Sequence, residues 1–263
     1  MKARTIALVG AGNVAVHLGK ALAAAGHTIA AVCSRTPESR TALAAALSPA
    51  TPVATPDFRN LDLDIVILAV PDAALAGVAA ALQVQEGTMV VHTSGSQPLS
   101  LLDAVAGART GVFYPLQTFS RAKPVDFNAI PMLVEAREEE TLQELEQFAR
   151  SISQQVQVVS SDARKQLHLA AVFACNFTNH LLGISREILQ QANLPTNLLQ
   201  PLLNETIAKA SQFHPFTVQT GPAVRGDQNV LQEHLRLLQN QPRYQQLYQV
   251  LSESIGEVRE FGS

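Results

Sequence analysis

The sequence has little cysteine and little charge, and both shortages narrow the classes of protein to which it can belong. Its 263 residues include two cysteines, Cys33 and Cys175. They lie far apart in different kinds of segment, so neither a disulfide framework nor a metal site is expected. Charged residues make up 16% of the chain and its net charge is −3, which indicates neither nucleic acid nor a membrane as a partner. We therefore expect a cytoplasmic protein without a metal ion.

The sequence also has few long apolar runs. Basic residues near the N-terminus precede apolar sequence as in a secretory signal. However, the uninterrupted run covers only residues 6–9, and Asn13, His17 and Lys20 interrupt the sequence beyond it. We expect no stretch of membrane-spanning length. The composition is 47% hydrophobic, which allows a sizeable core and two modest domains.

The clearest functional signal lies in residues 5–24. A short apolar run, predicted as a strand, leads directly into a glycine turn with the sequence GAGNVA, and helix-forming sequence comes next. Gly10 permits a sharp turn, Gly12 has no Cβ to keep a pyrophosphate from the backbone, and Ala15 allows close packing of helix on strand. The alternative is an ordinary strand-to-helix turn. The residues predicted to hold the diphosphate of a dinucleotide at the positive end of the helix are Gly10, Ala11, Gly12, Asn13 and Val14.

Strand and helix signals alternate over residues 1–160, which predicts an α/β domain with a doubly wound parallel sheet. After Ser160 the strand signals stop, and residues 161–263 are predicted to form an all-helical domain. Its first helix is expected at Asp162–Gln191, with regular 3.6-residue periodicity, and a loop rich in Pro and Gly covers residues 214–227. The other strands are predicted at 28–33, 64–70, 88–92, 110–113 and 131–134, and the other helices at 16–24, 38–47, 73–82, 138–151, 197–212, 228–239 and 242–260.

The end of the second predicted strand indicates which dinucleotide binds. An acidic residue there would bind the ribose 2′-hydroxyl of NAD, but the chain has Ser34, Arg35 and Thr36, with no carboxylate before Glu38. Arg35 can pair with a 2′-phosphate, to which the two hydroxyls can also donate. The sequence therefore favours NADP over NAD, and a plain surface turn is the alternative.

With these motifs, the chain resembles a family of Rossmann-like candidate NADP oxidoreductases with a C-terminal helical domain of unknown function. The family is distantly related to pyrroline-5-carboxylate reductase, ketopantoate reductase and 6-phosphogluconate dehydrogenase. The helical half of the chain resembles the C-terminal domain of 6-phosphogluconate dehydrogenase. The resemblance implies an NADP-dependent oxidoreductase that acts on a small substrate between its domains and pairs through its helical domain as a homodimer. It spans nearly the whole chain and is carried by residues 10–15, 69–72, 92–96, 114–119, 168–176, 220–222 and 225–227.

Ligands gather at the carboxyl ends of the strands in an open parallel sheet, so the segments after two predicted strands are further candidates for cofactor binding. Each segment has a structural alternative: an N-cap by Asp72 for the first, and an ordinary turn with a hydrogen-bonded histidine for the second. The residues expected to approach the cofactor are Ala69, Val70 and Pro71, then His92, Thr93, Ser94 and Gly95.

The long predicted helix supplies the candidate catalytic residues. His168 is poised to give a proton when a carbonyl or imine accepts hydride, and Asn176 can orient the substrate. With 3.6 residues per turn, His168 and Asn179 share a stripe, and Asn176 lies to its side. Tyr114, Asn179 and Arg225 are the candidate substrate-binding residues. The alternatives are polar groups satisfied between helices, and a local salt bridge from Arg225 to Asp227, which is itself expected to cap a helix.

Two other functions stay open at this point. Enzymes related to 6-phosphogluconate dehydrogenase carry a Lys and an Asn one turn apart on this helix, whereas here Leu169 stands four residues after Lys165. That absence favours an NADP-binding sensor or interaction protein without turnover. A deazaflavin-dependent NADP reductase is the third hypothesis.

Overall fold

Apolar strands from the first part of the chain form a single eight-stranded sheet in the computed structural model, which describes residues 2–261. The order β3-β2-β1-β4-β5-β6-β7-β8 reverses direction between β1 and β4, and such a reversal opens a crevice at the carboxyl ends of those strands. The strands are β1 (Thr5–Val9), β2 (Thr28–Cys33), β3 (Thr51–Val53), β4 (Ile65–Leu68), β5 (Met89–His92), β6 (Arg109–Pro115), β7 (Met132–Ala136) and β8 (Val156–Val158).

The sheet is parallel except between β6 and β7, which pair antiparallel. The predicted doubly wound parallel sheet is confirmed, and the pair of β6 and β7 is its one antiparallel departure among the described strands. A parallel partner needs a crossover connection, usually a helix. Residues 116–131 contain only a short 3₁₀ turn, Phe127–Ala129, and the chain turns back beside β6.

Helices cover both faces of the sheet, because successive side chains of a strand point to opposite faces. Ile6 and Leu8 of β1 join one buried cluster, whereas Ala7 and Val9 join another. Strand β4 is buried along its whole length, as expected of a strand covered on both sides. The α-helices that precede residue 160 are α1 (Asn13–Ala24), α2 (Pro37–Ala46), α3 (Asp72–Ala81) and α4 (Glu139–Ala149).

The predicted long helix is present, but its centre is not a regular α-helix. Helix α5 (Ser161–Ala171) continues into a π-helical segment, Val172–Phe177, and then into α6 (Thr178–Gln191). Bonds from residue i to i+5 change the angular spacing of the side chains. Since Asn176 lies within the π segment and Asn179 comes after it, the regular 3.6-residue spacing assumed for the stripe of His168 and Asn179 does not hold between them.

This continuous helix, Ser161–Gln191, is long and apolar enough to cross a membrane by length and composition alone, with a mean hydropathy of 1.3 over its most apolar window. The expectation that no stretch reaches that length is therefore wrong. One such helix is weak evidence for a membrane span, since apolar helix faces also pack against protein.

The chain forms two compact units, one ending at Asn176 and the other beginning at Phe177. The first unit therefore includes α5, which the predicted boundary at residue 160 leaves out. Arg164 of α5 is fully buried and pairs with Glu135 of β7, so this helix is held to the sheet by its own side chain. The Ser160 hydroxyl accepts from the Ala163 N–H and caps the helix.

The second unit is helical, and its predicted loop 214–227 contains a 3₁₀ turn, Pro215–Val218, and a short helix. Asp227 occupies the N-cap position of α9, but its side chain makes no capping hydrogen bond, so the predicted side-chain cap is wrong. His234 contacts a neighbouring helix, with Nδ1 2.8 Å from the Tyr248 hydroxyl. The remaining helices are α7 (Gln200–Gln212), α8 (Pro222–Arg225), α9 (Gln228–Leu237) and α10 (Pro242–Phe261).

Glu144 on α4 provides a test of the packing at the amino ends of the strands. Its carboxylate accepts from Arg109 at 2.9 Å and Arg4 at 3.2 Å, and the hydrogen bond from Arg109 is the main cause that lowers the pKa of Glu144. A lowered folded pKa stabilises the fold above the unfolded value, about 4.3, and the gain is lost as the pH falls through the folded value. We expect Glu144→Gln to lower Tm by about 2–4 °C at pH 7, for a loss of about 1 kcal/mol.

Thermal unfolding followed by circular dichroism measures this difference across pH. The deficit should shrink as the pH drops below about 4, because the wild-type carboxylate is then protonated as well. Glu146→Gln, on the same helix, is the matched control and should leave Tm nearly unchanged. A deficit that is equal at all pH values would refute the electrostatic explanation.

Candidate functional site

The glycine turn between β1 and α1 has the geometry that a dinucleotide requires. Gly10 has φ +116°, and a Cβ built on it would lie 2.1 Å from the Ala69 carbonyl oxygen, so no other residue fits without moving β4. At Gly12, by contrast, a Cβ would meet no atom within 4 Å, which leaves an open approach to the first turn of α1. Ala15 is fully buried. The turn can therefore hold a diphosphate against the N–H groups at the start of α1.

Cationic side chains lie where the second strand ends. Arg35 and Thr36 are exposed there, and Ser34 is half-buried. Arg40 of α2 donates to the Ser34 carbonyl oxygen at 3.1 Å, which brings a second guanidinium to this turn. Arg40 was not predicted from the sequence, because only the residues at the end of the strand were considered. Arg40 lies one helical turn after Thr36, a spacing at which a side chain can reach back to the loop.

The segment after β4 connects the crevice to the next strand. The Ala69 N–H donates to the Val9 carbonyl oxygen at 2.7 Å, and Val70 and the exposed Pro71 lead into α3. Asp72 is the first residue of that helix rather than its N-cap. Its carboxylate accepts a short hydrogen bond from the Ser96 hydroxyl, so the segments after β4 and β5 are joined by side chains.

The segment after β5 forms a tight polar turn. The Ser94 hydroxyl accepts from the N–H groups of Ser96 and Gln97 at 3.2 and 3.0 Å, and the Thr93 N–H donates to the Leu68 carbonyl oxygen at 3.1 Å. His92 is fully buried, and its Nδ1 accepts from the Ser94 N–H at 3.2 Å. Burial, with the nearby charge of Arg164, lowers the pKa of His92 to about 4. The imidazole is therefore neutral near pH 7.

Tyr114 and His168 meet directly beside this turn. The Tyr114 hydroxyl lies 3.1 Å from His168 Nδ1, and both side chains are half-buried. Burial raises the pKa of the Tyr114 phenol, while the positive charge of Arg164 opposes the rise. A Cβ on Gly95 would lie 2.6 Å from His168 Nδ1 and 2.9 Å from the Tyr114 ring. The pair therefore needs glycine at position 95.

Arg164 holds this arrangement together, and sequence reasoning missed it. Its side chain is fully buried, forms a short ion pair with Glu135, and donates to the carbonyl oxygens of Ser94 at 3.2 Å and Gln97 at 2.6 Å. The same guanidinium thus fixes the turn after β5 and the helix that carries His168. No local pattern marks it, because its partners are about 30 and 70 residues away in sequence.

The other predicted residues lie elsewhere. Asn176 is exposed in the π segment at the end of the first unit, and Asn179 and Arg225 are exposed in the second unit. The cluster that the first unit itself brings together consists of Asp72, Ser96, Tyr114, Arg164 and His168. Within residues 2–261, no group of three or more His, Cys, Asp or Glu side chains is placed to hold a metal ion.

Two family models match the chain, and the second begins within the first compact unit, before β7. Residues 2–117 match a Rossmann-like domain, and residues 130–255 match a domain of unknown function, DUF2520. Among curated proteins, none matches the sequence significantly.

Solved structures are similar over almost the full length. A Bacteroides fragilis protein described as a candidate NADP oxidoreductase is 40% identical, with a TM-score of 0.87 and coverage of 97% of this chain and 98% of that chain. An Aspergillus terreus reductive aminase, solved with NADPH, is 16% identical with a TM-score of 0.67, covering 99% and 95% of the two chains. A Coxiella burnetii pyrroline-5-carboxylate reductase is 17% identical with a TM-score of 0.58, covering 100% of each chain. The last two show the fold alone.

Removing Arg164 should be costly, because the Glu135 carboxylate loses its positive partner and keeps only the hydrogen bonds from Ser161, and two carbonyl oxygens lose their donor. We expect Arg164→Met to lower the free energy of unfolding by about 3–5 kcal/mol, measured by urea denaturation. Arg137→Met is the matched control: its pair with Asp103 at 2.8 Å is exposed on both sides, so its loss should cost at most about 1 kcal/mol.

A double variant separates the charge from the packing. Arg164→Met with Glu135→Leu removes both charges and should recover part of the lost stability. Equal losses in Arg164→Met and Arg137→Met would show that the buried pair does not hold the site.

Proposed function

Since this chain belongs to the family in which a Rossmann-like domain precedes the helical DUF2520 domain, we propose that it is an NADP-dependent oxidoreductase. The reaction is hydride transfer between NADPH and a small carbonyl, imine or hydroxy-acid substrate. Its 40% identical relative is described as a candidate NADP oxidoreductase, and the glycine turn is open toward a diphosphate at Gly12. The turn supports a dinucleotide, and the description of the relative supports NADP as that dinucleotide.

The contact between Tyr114 and His168 is the observation that carries the proposal. It joins the end of β6 to α5 beside the turn after β5. The carboxyl ends of parallel strands lie at one edge of a sheet, and that edge also carries the glycine turn. A dinucleotide whose diphosphate lies on α1 extends along this edge towards Val70, Pro71 and the turn at Thr93–Gly95.

NADPH, when bound, supplies the hydride. The chain must supply a proton to the substrate oxygen or nitrogen, and we assign that role to the Tyr114 hydroxyl. The raised pKa of the phenol keeps it protonated at neutral pH. His168 Nδ1–H, which is within hydrogen-bond distance, gives its proton to the phenolate oxygen as Nε2 of the same ring takes a proton from solvent, so the imidazole stays neutral. The net result is one proton passed from solvent to the substrate, and exchange with solvent then restores the Nδ1–H tautomer.

Other residues of the cluster position this pair. Arg164 fixes α5 against the turn after β5, and Gly95 leaves room for the imidazole of His168. The buried, neutral His92 accepts from the Ser94 N–H in the same turn. The Asp72 carboxylate accepts from the Ser96 hydroxyl and thereby fixes the end of the turn after β5. Asn176, Asn179 and Arg225 are proposed to bind the substrate, with Arg225 able to pair with a carboxylate.

A homodimer in the cytoplasm is part of the proposal. Several large apolar side chains of the second unit are more than a third exposed in the single chain, namely Leu181, Ile188, Leu202 and Ile207. An extensive apolar surface marks a contact with another protein or a membrane. We assign it to a second copy of the helical domain, since the described part of this domain contributes no buried large apolar side chain to the core of the single chain.

A screen of carbonyl and imine acids for NADPH oxidation, on protein freed of cofactor, tests the activity. Against the best substrate, His168→Ala and Tyr114→Phe should each lower kcat about 10²- to 10⁴-fold, because the proton donor is lost. The dissociation constant for NADPH should change little. The matched control is His180→Ala on α6, which should leave kcat unchanged. Unchanged turnover in both dyad variants would remove the proposed mechanism, and NADPH binding without any turnover would favour a sensor.

The nucleotide preference has its own test. Calorimetry on the wild type should give a lower dissociation constant for NADPH than for NADH. Arg35→Ala should reduce the ratio of the NADH dissociation constant to the NADPH dissociation constant about tenfold or more, since a charge-assisted pair with the 2′-phosphate is lost. Arg59→Ala is the control, because its pair with Asp57 at 2.6 Å is exposed. Equal wild-type affinities for the two nucleotides would refute the assignment of NADP.

A further inference from the structure

The loop after β6 reaches back to the glycine turn, and nothing in the proposed chemistry uses it. Residues Phe119, Ser120 and Arg121, which we call the clasp, contact the turn and α1. The Asn13 side-chain amide donates to the Phe119 carbonyl oxygen at 3.0 Å. His17 Nε2 lies 2.9 Å from the Ser120 carbonyl oxygen and must donate to it, since a carbonyl only accepts. Arg121 Nη2 donates to the Ala11 carbonyl oxygen at 3.2 Å.

Aromatic contacts anchor the clasp at its base. The His17 ring stacks on Phe119 at 5.4 Å between centroids, and Phe119 stacks on Phe127 at 5.8 Å. Phe127 is itself buried in the main core cluster. The backbone of the clasp is therefore fixed at the glycine turn, whereas the Arg121 side chain is exposed.

Arg121 is the cation that the clasp brings to the turn. Among the described residues its guanidinium forms no ion pair, and it donates to the neutral carbonyl oxygen of Ala11. Helix α1 has no basic residue in its own first turn, where the sequence is Asn13, Val14, Ala15 and Val16. Its N–H groups carry only partial charge, so a cation beside the turn would add to their attraction for a bound diphosphate.

We propose that Arg121 binds the diphosphate of the dinucleotide and that the clasp positions it to do so. The inference rests on the proposed function, because it needs a dinucleotide on the glycine turn. A charge-assisted hydrogen bond to an anionic oxygen is about twice as strong as one to a neutral carbonyl. The exposed guanidinium therefore exchanges the Ala11 oxygen for a phosphate oxygen, and the cofactor is held from the loop as well as from α1.

Calorimetric titration of the full-length protein with NADPH and with NADH tests the assignment. Arg121→Gln should raise the dissociation constant of each about 10- to 100-fold. Both nucleotides share the diphosphate, so the ratio of their affinities should stay as in the wild type. Arg35→Ala, by contrast, should change that ratio. Affinity should fall less steeply with salt in Arg121→Gln than in the wild type, because one charge contact is gone.

Lys123→Gln is the matched control. It removes the same charge from the same exposed loop, two positions further on, and should change the dissociation constants less than about twofold. Arg121→Lys should fall between the wild type and Arg121→Gln. The melting temperatures without nucleotide should match in Arg121→Gln and Lys123→Gln, which excludes misfolding.

The outcomes separate the two proposals. Equal effects of Arg121→Gln and Lys123→Gln, or a changed ratio of NADPH to NADH affinity in Arg121→Gln, would overturn the role of Arg121 and leave the proposed function standing. A wild type that binds neither nucleotide would overturn both.

Discussion

The buried ion pair of Arg164 and Glu135 is the interaction on which the candidate site depends. Arg164 is fully buried, and a buried charge is tolerated only when it is paired and hydrogen-bonded. Its partners are the carboxylate on β7, two carbonyl oxygens of the turn after β5 and the Ser161 hydroxyl. This single side chain therefore ties α5 to the sheet and sets where His168 stands.

The same charge shapes the electrostatics of the neighbouring groups. It disfavours a proton on buried His92 and partly offsets the effect of burial on the pKa of the Tyr114 phenol. Burial and this charge keep His92 neutral inside the fold, whereas the half-buried His168 contacts the Tyr114 hydroxyl at 3.1 Å. The two histidines thus differ in burial and in hydrogen-bond partner.

Patterns in the sequence predicted the local elements well and the long-range ones poorly. The glycine turn, β2 and the helices of the first unit are predictable from apolar periodicity and turn chemistry, which act within a few residues. The strands β3 and β8, of three residues each, are too short to leave a periodic signal. The antiparallel β7 and the π segment depend on tertiary packing that a local pattern does not contain.

The site divides in the same way. Gly10, Gly12 and His168 are recognisable from local motif and residue chemistry, and the pairing of Tyr114 with His168 unites two residues that were predicted separately. Arg164, Arg40 and the clasp were missed because their importance lies in contacts across the sheet edge. The assumption of a regular helix around Asn176 is wrong, since a π turn cannot be recognised from apolar spacing alone.

The central claim is that Tyr114 and His168 stand beside the nicotinamide as the proton-delivering pair. A crystal structure of the complex with NADP⁺ tests it most directly. The account predicts a diphosphate on the N–H groups of α1 and a Tyr114 hydroxyl about 4–6 Å from nicotinamide C4, which leaves room for one reacting bond of a substrate. A nicotinamide ring directed away from Tyr114, with the pair out of reach, would contradict it.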